Sequence, residues 1–169
     1  IGRLSANAKR TLDVDGLAVS PGFIDPHTHL DGQLFWDPYG TSLCYHGVTS
    51  VVVGNCGLTL APAKPENRES MIKSFVRVEA ISRKVLEQGF DWKWTTTGEY
   101  MKALGARLGI NAAVLVGHIA VRHYVMGEEA VEREATDADL VVGAVFAAGQ
   151  PTPKLLPRAL VRRMKPGAV

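Results

Sequence analysis

The chain has 169 residues and a formal net charge of +2, with 46% hydrophobic and 21% charged residues. This composition is typical of a folded globular protein and argues against extended disorder. No apolar run reaches the roughly 18 to 20 residues needed to cross a bilayer. No charged-then-apolar leader opens the chain, and two cysteines do not indicate a disulfide framework. We therefore expect a cytoplasmic protein that does not bind membranes.

The first elements in chain order are β-strands. Residues 11–19 read as a strand pair, or as one strand with a turn, at Asp15-Gly16. A Pro-Gly turn then leads into a strand over Phe23–His27. Side chains alternate along a strand, so His27 and His29 point to the same side. Two imidazoles beside the carboxylates Asp25 and Asp31 can bind one divalent metal ion.

A second strand delivers a thiol. Residues 41–46 predict a short helix closed by Gly47, followed by the β-branched strand Val48–Val53 and then Cys56. A thiolate is a strong zinc ligand. Two alternatives stay open from the residues alone: a His-x-His pair is often incidental, and a lone cysteine is more often a small buried hydrophobe.

The rest of the chain continues an alternating pattern. We predict one helix over 66–88, a helix from a Thr96/Glu99 capping box through residue 108, a strand over 110–116, and a last helix starting near 136. Alternation of strand and helix favours an α/β fold with a parallel sheet and right-handed crossovers. Sites in such sheets lie at the carboxyl ends of the strands, close to His27, His29, Cys56 and His118.

Three segments carry a family resemblance. They are PGFIDPHTHLD at 21–31, GVTSVVVGNCG at 47–57 with LAP after it, and VGHIAVRHYVMG at 116–127. Together they resemble the N-acyl-D-amino-acid deacylase (D-aminoacylase) branch of the amidohydrolase superfamily. The resemblance implies the first three units of a partial TIM-type (β/α)8 barrel over residues 21–149, with a remnant of a flanking β-sandwich over residues 1–20.

The same resemblance implies a metal site and a substrate site. By this resemblance, His27, His29 and Cys56 are ligands of one or two zinc ions. His118 and Arg122 contact the substrate. Asp25 and Asp31 orient the ligands. Loop-fixing roles are the alternative for Asp25, His118 and Arg122. The family's two later histidines and its late aspartate, which is the general base, have no position that we can assign, so no catalytic base is predicted.

Three functions follow as hypotheses. The first is zinc-dependent deacylation of N-acyl-D-amino acids by an intact family protein, with this chain inactive alone. The second is hydrolysis of a cyclic amide, as in dihydropyrimidinase- or dihydroorotase-like relatives, although these usually bridge their metals with a lysine rather than a cysteine. The third is a non-catalytic remnant that binds metal or a partner chain.

The C-terminal region departs from the family pattern. Residues 140–169 contain five bases and no acid, and four prolines crowd the same stretch. We interpret 150–169 as an irregular basic tail and expect a shifted reading frame or a truncated gene product; a genuine divergent terminus is the alternative. Bases without interleaved aromatics do not indicate nucleic-acid binding. The expected partners are a small N-acyl amino acid, and a complementary C-terminal segment or a second copy at the open barrel edge.

Overall fold

The computed structural model describes residues 7–134, in which three parallel strands alternate with helices. The strands are β1 (Phe23–Thr28), β2 (Val48–Val53) and β3 (Asn111–Val114). The helices are α1 (Thr41–Cys44), α2 (Arg68–Glu79), α3 (Arg83–Gln88), α4 (Thr97–Gly105) and α5 (His118–Met126), with 3-10 turns at Gln33–Phe35, Pro65–Asn67 and Gly127–Val131. The predicted α/β class and parallel sheet are confirmed.

The sheet has the order β1-β2-β3, so β2 is central. Val51 and Val53 of β2 are fully buried, as expected for a parallel strand covered by helices. Thr28 pairs with Val53, and Val53 pairs with Val114. Because the strands are parallel and in this register, their carboxyl ends lie side by side, and the loops that follow them share one edge of the sheet.

An aromatic cluster forms much of the core on one side of the sheet. Trp94 and Tyr100 are fully buried, and the Phe35 ring stacks on Trp94 at a centroid distance of 5.0 Å. The Trp94 indole donates a hydrogen bond of 2.8 Å to the Leu60 carbonyl. Leu60 lies in the loop after β2, so this buried bond fixes that loop against the core.

The helix predicted over 66–88 is wrong as a single element. It is interrupted after Glu79, where Ala80 adopts a left-handed conformation with φ 52°, and α3 starts afresh with Ser82 as its N-cap. The apolar spacing continues across the break because both helices pack on the same core, through Phe75 in α2 and Leu86 in α3. Two valines that share this apolar spacing, Val78 and Val85, are nevertheless exposed.

Other boundaries also differ from the prediction. The capping box at Thr96 and Glu99 is confirmed, but α4 ends at Gly105, before residue 108. Strand β3 is shorter than 110–116 because the chain turns into α5, a helix that was not predicted. Residues 11–19 form the turn at Asp15-Gly16 but no strand; their apolar side chains Leu12, Val14, Leu17 and Val19 are exposed.

Some predictions lie outside the described residues. These are the helix near 136, the boundary at 149 and the basic tail over 150–169. The partial barrel and the sandwich remnant stay predictions. Within residues 7–134, no helix combines the length and apolarity that a bilayer crossing requires.

Candidate metal centre

The ends of β1 and β2 bring three predicted ligands together. His27 lies inside β1 and His29 follows it, while Cys56 lies in the loop after β2. The Thr28 hydroxyl donates to the Val52 carbonyl at 3.0 Å, and the Asn55 amide donates to the Pro26 carbonyl at 3.0 Å. These two bonds tie the end of β1 to the end of β2, and so fix the spacing between the histidines and the thiol.

The ligand atoms of His27, His29 and Cys56 converge. One atom from each lies within 4.8 Å of the other two. The Nε2 atoms of the two histidines are 3.3 Å apart, and the Cys56 Sγ is 3.9 Å from Nδ1 of His29. Cys56 is exposed, so the alternative of a small buried hydrophobe is wrong for this residue.

The three side chains fit a zinc-type ion. Tetrahedral geometry with bonds of about 2.0–2.3 Å separates neighbouring ligand atoms by about 3.3–3.7 Å. The spacing between the Nε2 atoms of the two histidines is already in this range, and all three ligand atoms lie within 4.8 Å of one another. Two imidazoles and one thiolate are ligand types that suit zinc. The donor set leaves further coordination positions for other ligands or water.

Glu79 is the site residue that sequence reasoning missed. Its Oε1 lies 2.6 Å from Nδ1 of His29, and both side chains are mostly shielded from solvent, with 18% and 28% of their surface exposed. The sequence did not indicate a role for Glu79, because residues 66–88 were interpreted as one helix, in which Glu79 is an ordinary polar position. The Ser82 cap, with its side chain accepting from the Val85 amide, is the one local sign that a helix starts just after Glu79.

Asp31 lies in the protein interior, two residues after His29 in the sequence. It is fully buried, and neither carboxylate oxygen has a well-aligned hydrogen bond. Burial raises the pKa of Asp31 to about 7, and the negative charge of Glu79 adds to the rise. The nearby Thr59 hydroxyl lowers this pKa, although it has no well-aligned hydrogen-bond partner of its own. The backbone carbonyl of Asp31 accepts a 3.0 Å hydrogen bond from the buried Tyr100 hydroxyl.

The other predicted site residues make mainly local contacts. The Asp25 carboxylate accepts from the His27 amide at 3.1 Å. Arg122 donates through Nη2 to the carbonyls of Ala130 and Arg133, at 2.7 and 2.9 Å. His118 is exposed at the start of α5. The next residue, Ile119, donates its amide to the Gly57 carbonyl, so the start of α5 lies against the loop that carries Cys56. These contacts match the loop-fixing alternatives for Asp25 and Arg122; substrate contact by His118 or Arg122 stays a prediction.

The chain matches the model of one protein family. The model of the amidohydrolase family matches residues 10–156. The chain belongs to the amidohydrolase family. That match covers all three motifs and the three residues whose ligand atoms converge.

Individual relatives place the chain in the predicted branch. It is 38% identical to the D-aminoacylase of Alcaligenes xylosoxydans xylosoxydans, over 83% of this chain and 27% of that protein. It is 35% identical to the N-acyl-D-aspartate deacylase of the same organism, over 76% of this chain and 23% of that protein. The chain thus spans about a quarter of the length of the curated relatives it matches. The predicted resemblance to the D-aminoacylase branch is confirmed.

A solved structure agrees with these relatives. A D-aminoacylase with a binuclear metal center superposes with a TM-score of 0.59 at 38% identity, covering 78% of this chain and 25% of that chain. In that D-aminoacylase, one metal ion is associated with activation and a second metal ion with attenuation. The amidohydrolase type of fold is therefore supported by sequence and by structure.

Proposed function

We propose that this chain supplies part of the metal centre of an enzyme that hydrolyses N-acyl-D-amino acids. The observation that carries the proposal is the convergence of His27, His29 and Cys56 within 4.8 Å at the carboxyl ends of two parallel strands. The similarity to D-aminoacylase and to N-acyl-D-aspartate deacylase supports the substrate class. The products would be a D-amino acid and a carboxylic acid, formed by addition of water across the amide C–N bond.

The ligand residues have a defined part in this chemistry. When bound, a zinc ion polarises the scissile amide and makes water nucleophilic near neutral pH. His27 and His29 offer ring nitrogens and Cys56 offers its sulfur. The Leu58 amide donates to Cys56 Sγ at 3.4 Å and so orients the sulfur within its loop. His118 lies beside the same loop, where it can face the substrate.

The general base is assigned by resemblance to a late aspartate that has no matching position here. Positioned acid–base catalysis typically contributes about 10²–10⁴-fold. We therefore propose that the 169-residue chain alone does not turn over N-acetyl-D-methionine at a useful rate with zinc present. Robust turnover by this chain alone would contradict that reasoning, and would direct attention to Asp31 as the base.

A chimeric enzyme tests the proposed function. Residues 10–134 of this chain would replace the matching segment of the Alcaligenes D-aminoacylase, and amine release from N-acetyl-D-methionine would be measured. We expect zinc-dependent turnover that Cys56→Ser lowers by at least about 100-fold and that Cys44→Ser, a change at another exposed cysteine, leaves intact. Equal turnover by the two variants would contradict a role for Cys56 in the metal centre. A folded chimera without turnover would favour the non-catalytic alternative.

A further inference from the structure

The contact between Glu79 and His29 bears on which ring nitrogen of His29 carries the proton. Oε1 of Glu79 lies 2.6 Å from Nδ1 of His29, and a carboxylate without a proton only accepts hydrogen bonds, so a hydrogen bond at this contact requires the proton on Nδ1. The lone pair is then on Nε2, the atom that lies 3.3 Å from Nε2 of His27. With the proton on Nδ1, the free electron pair of His29 is on the nitrogen that lies next to His27.

Glu79 holds this place through the break in the helix. It is the last residue of α2, and the chain leaves the helix at Ala80, a non-glycine residue with φ 52°. A left-handed conformation costs an L-residue about 1–2 kcal/mol, and backbone strain of this kind clusters at functional sites. By contrast, Glu69 in the first turn of the same helix pairs with the cations Lys73 and Arg83 on the exposed surface.

The thiol is a competing acceptor for the same proton. Cys56 Sγ lies 3.9 Å from Nδ1 of His29, farther than the carboxylate, and sulfur is the weaker acceptor. Without Glu79, the ring of His29 has no strong partner for Nδ1, and either nitrogen can carry the proton. The carboxylate thus removes an arrangement in which His29 and Cys56 engage each other rather than a metal ion.

We propose that Glu79 is a positioning residue that selects the Nδ1–H form of His29 and so presents Nε2 to the metal ion. The proposal rests on the metal-binding function proposed above for His27, His29 and Cys56. Carboxylates that bond the outer nitrogen of a metal-binding histidine typically contribute about 10–100-fold to metal affinity. Glu79 would have this part without touching the metal or the substrate.

The first experiment tests the contact in metal-free protein. Long-range 1H–15N correlation spectra at pH 8 distinguish the Nδ1–H and Nε2–H forms of each histidine ring, and a His29→Asn variant assigns the His29 signals. We expect the Nδ1–H form for His29 in the unaltered chain and in Glu69→Ala, the matched control on α2. Glu79→Ala should shift His29 toward the Nε2–H form. An unchanged tautomer in Glu79→Ala would overturn the proposal.

The second experiment measures zinc affinity by competition with a chromophoric chelator. We expect Glu79→Ala to bind zinc about 10–100-fold more weakly than the unaltered chain, and Glu69→Ala to bind equally well. Glu79→Gln keeps the shape of the side chain, so its smaller loss provides a second test if Glu79→Ala fails to fold. Affinities of both Glu79 variants within twofold of the unaltered chain would overturn the proposal.

The two readouts separate this proposal from the function on which it rests. If the unaltered chain does not bind zinc, the metal centre fails, while the tautomer spectra still decide whether Glu79 sets the proton on His29. If zinc binds and depends on Cys56 but not on Glu79, the metal centre stands and the positioning role is wrong.

Discussion

Gly54, at the end of β2, is expected to be intolerant of any side chain. It has φ +86°, and a methyl group added there would lie 2.5 Å from the Leu115 carbonyl oxygen. That carbonyl cannot move freely, because the Leu115 amide bonds the Val53 carbonyl at 2.9 Å and continues the pairing of β2 with β3. Gly54→Ala therefore forces a shift of backbone in the turn that leads to Cys56.

Two costs add in Gly54→Ala, and one gain offsets part of them. The left-handed conformation costs about 1–2 kcal/mol, and relieving the contact with Leu115 costs about 1–3 kcal/mol. The lower entropy of the unfolded chain returns about 0.4–1 kcal/mol. The expected net loss is about 1–5 kcal/mol in the free energy of unfolding, which is a large share of the stability of an ordinary domain.

Urea denaturation followed by tryptophan fluorescence measures this loss, since Trp94 is buried. Gly16→Ala is the matched control, because Gly16 also has a left-handed φ, +73°, but nothing lies within 4 Å of the added methyl. The control should lose only about 0–1.6 kcal/mol, the left-handed cost less the entropy gain. If Gly54→Ala and Gly16→Ala lose the same free energy, the close approach of β2 to Leu115 does not constrain the turn, and the reasoning is refuted.

Three further predictions concern stability. Thr96→Ala removes the capping box with Glu99 and should lower the free energy of unfolding by about 1 kcal/mol in urea titrations; no change would mean that α4 is held by packing alone. Ala80→Gly relieves the left-handed alanine and should raise that free energy by about 0.5–1 kcal/mol, whereas a loss would show that the break carries no strain. Burial lowers the pKa of His123, with a smaller effect from the positive charge of Arg122. The unfolded chain therefore takes up a proton more readily than the folded protein, and the free energy of unfolding should fall as the pH drops below about 6.5. Replacing His123 with Gln should flatten this fall between pH 7.5 and 5.5, and an equal slope in both proteins would assign it to other groups.

Local patterns predicted β1 and β2 closely, and they predicted which candidate ligands lie together. β2 was predicted at its observed bounds, because a continuous β-branched run between glycines is a local signal. The alternation of side chains along β1 and the parallel order of the sheet were enough to bring His27, His29 and Cys56 to one edge. The capping box at Thr96 was predicted because both of its hydrogen bonds join residues three apart in sequence.

The features that were missed depend on tertiary contacts. Nothing in the sequence of Ala80 favours a left-handed conformation, so the end of α2 and the contact of Glu79 with His29 depend on the packed core and on the site. The helix α5 was hidden because Gly117-His118 reads as the end of a strand; its buried side chains Ala120, Val121, His123 and Met126 mark a helical face only once the register is known. Residues 11–19 alternate as strands do, but a strand also needs a neighbour to pair with.

Zinc binding by the 169-residue chain tests the central claim most directly. The unaltered chain, Cys56→Ser and Cys44→Ser would each be titrated with zinc against a chromophoric chelator, and with cobalt to record the thiolate charge-transfer absorption. Cys44 is the matched control because it is also an exposed free thiol, bonded only to the Thr41 carbonyl among the described residues. We predict that Cys56→Ser loses zinc affinity and the thiolate absorption while Cys44→Ser keeps both. Equal binding by the two variants would contradict a metal centre built on His27, His29 and Cys56.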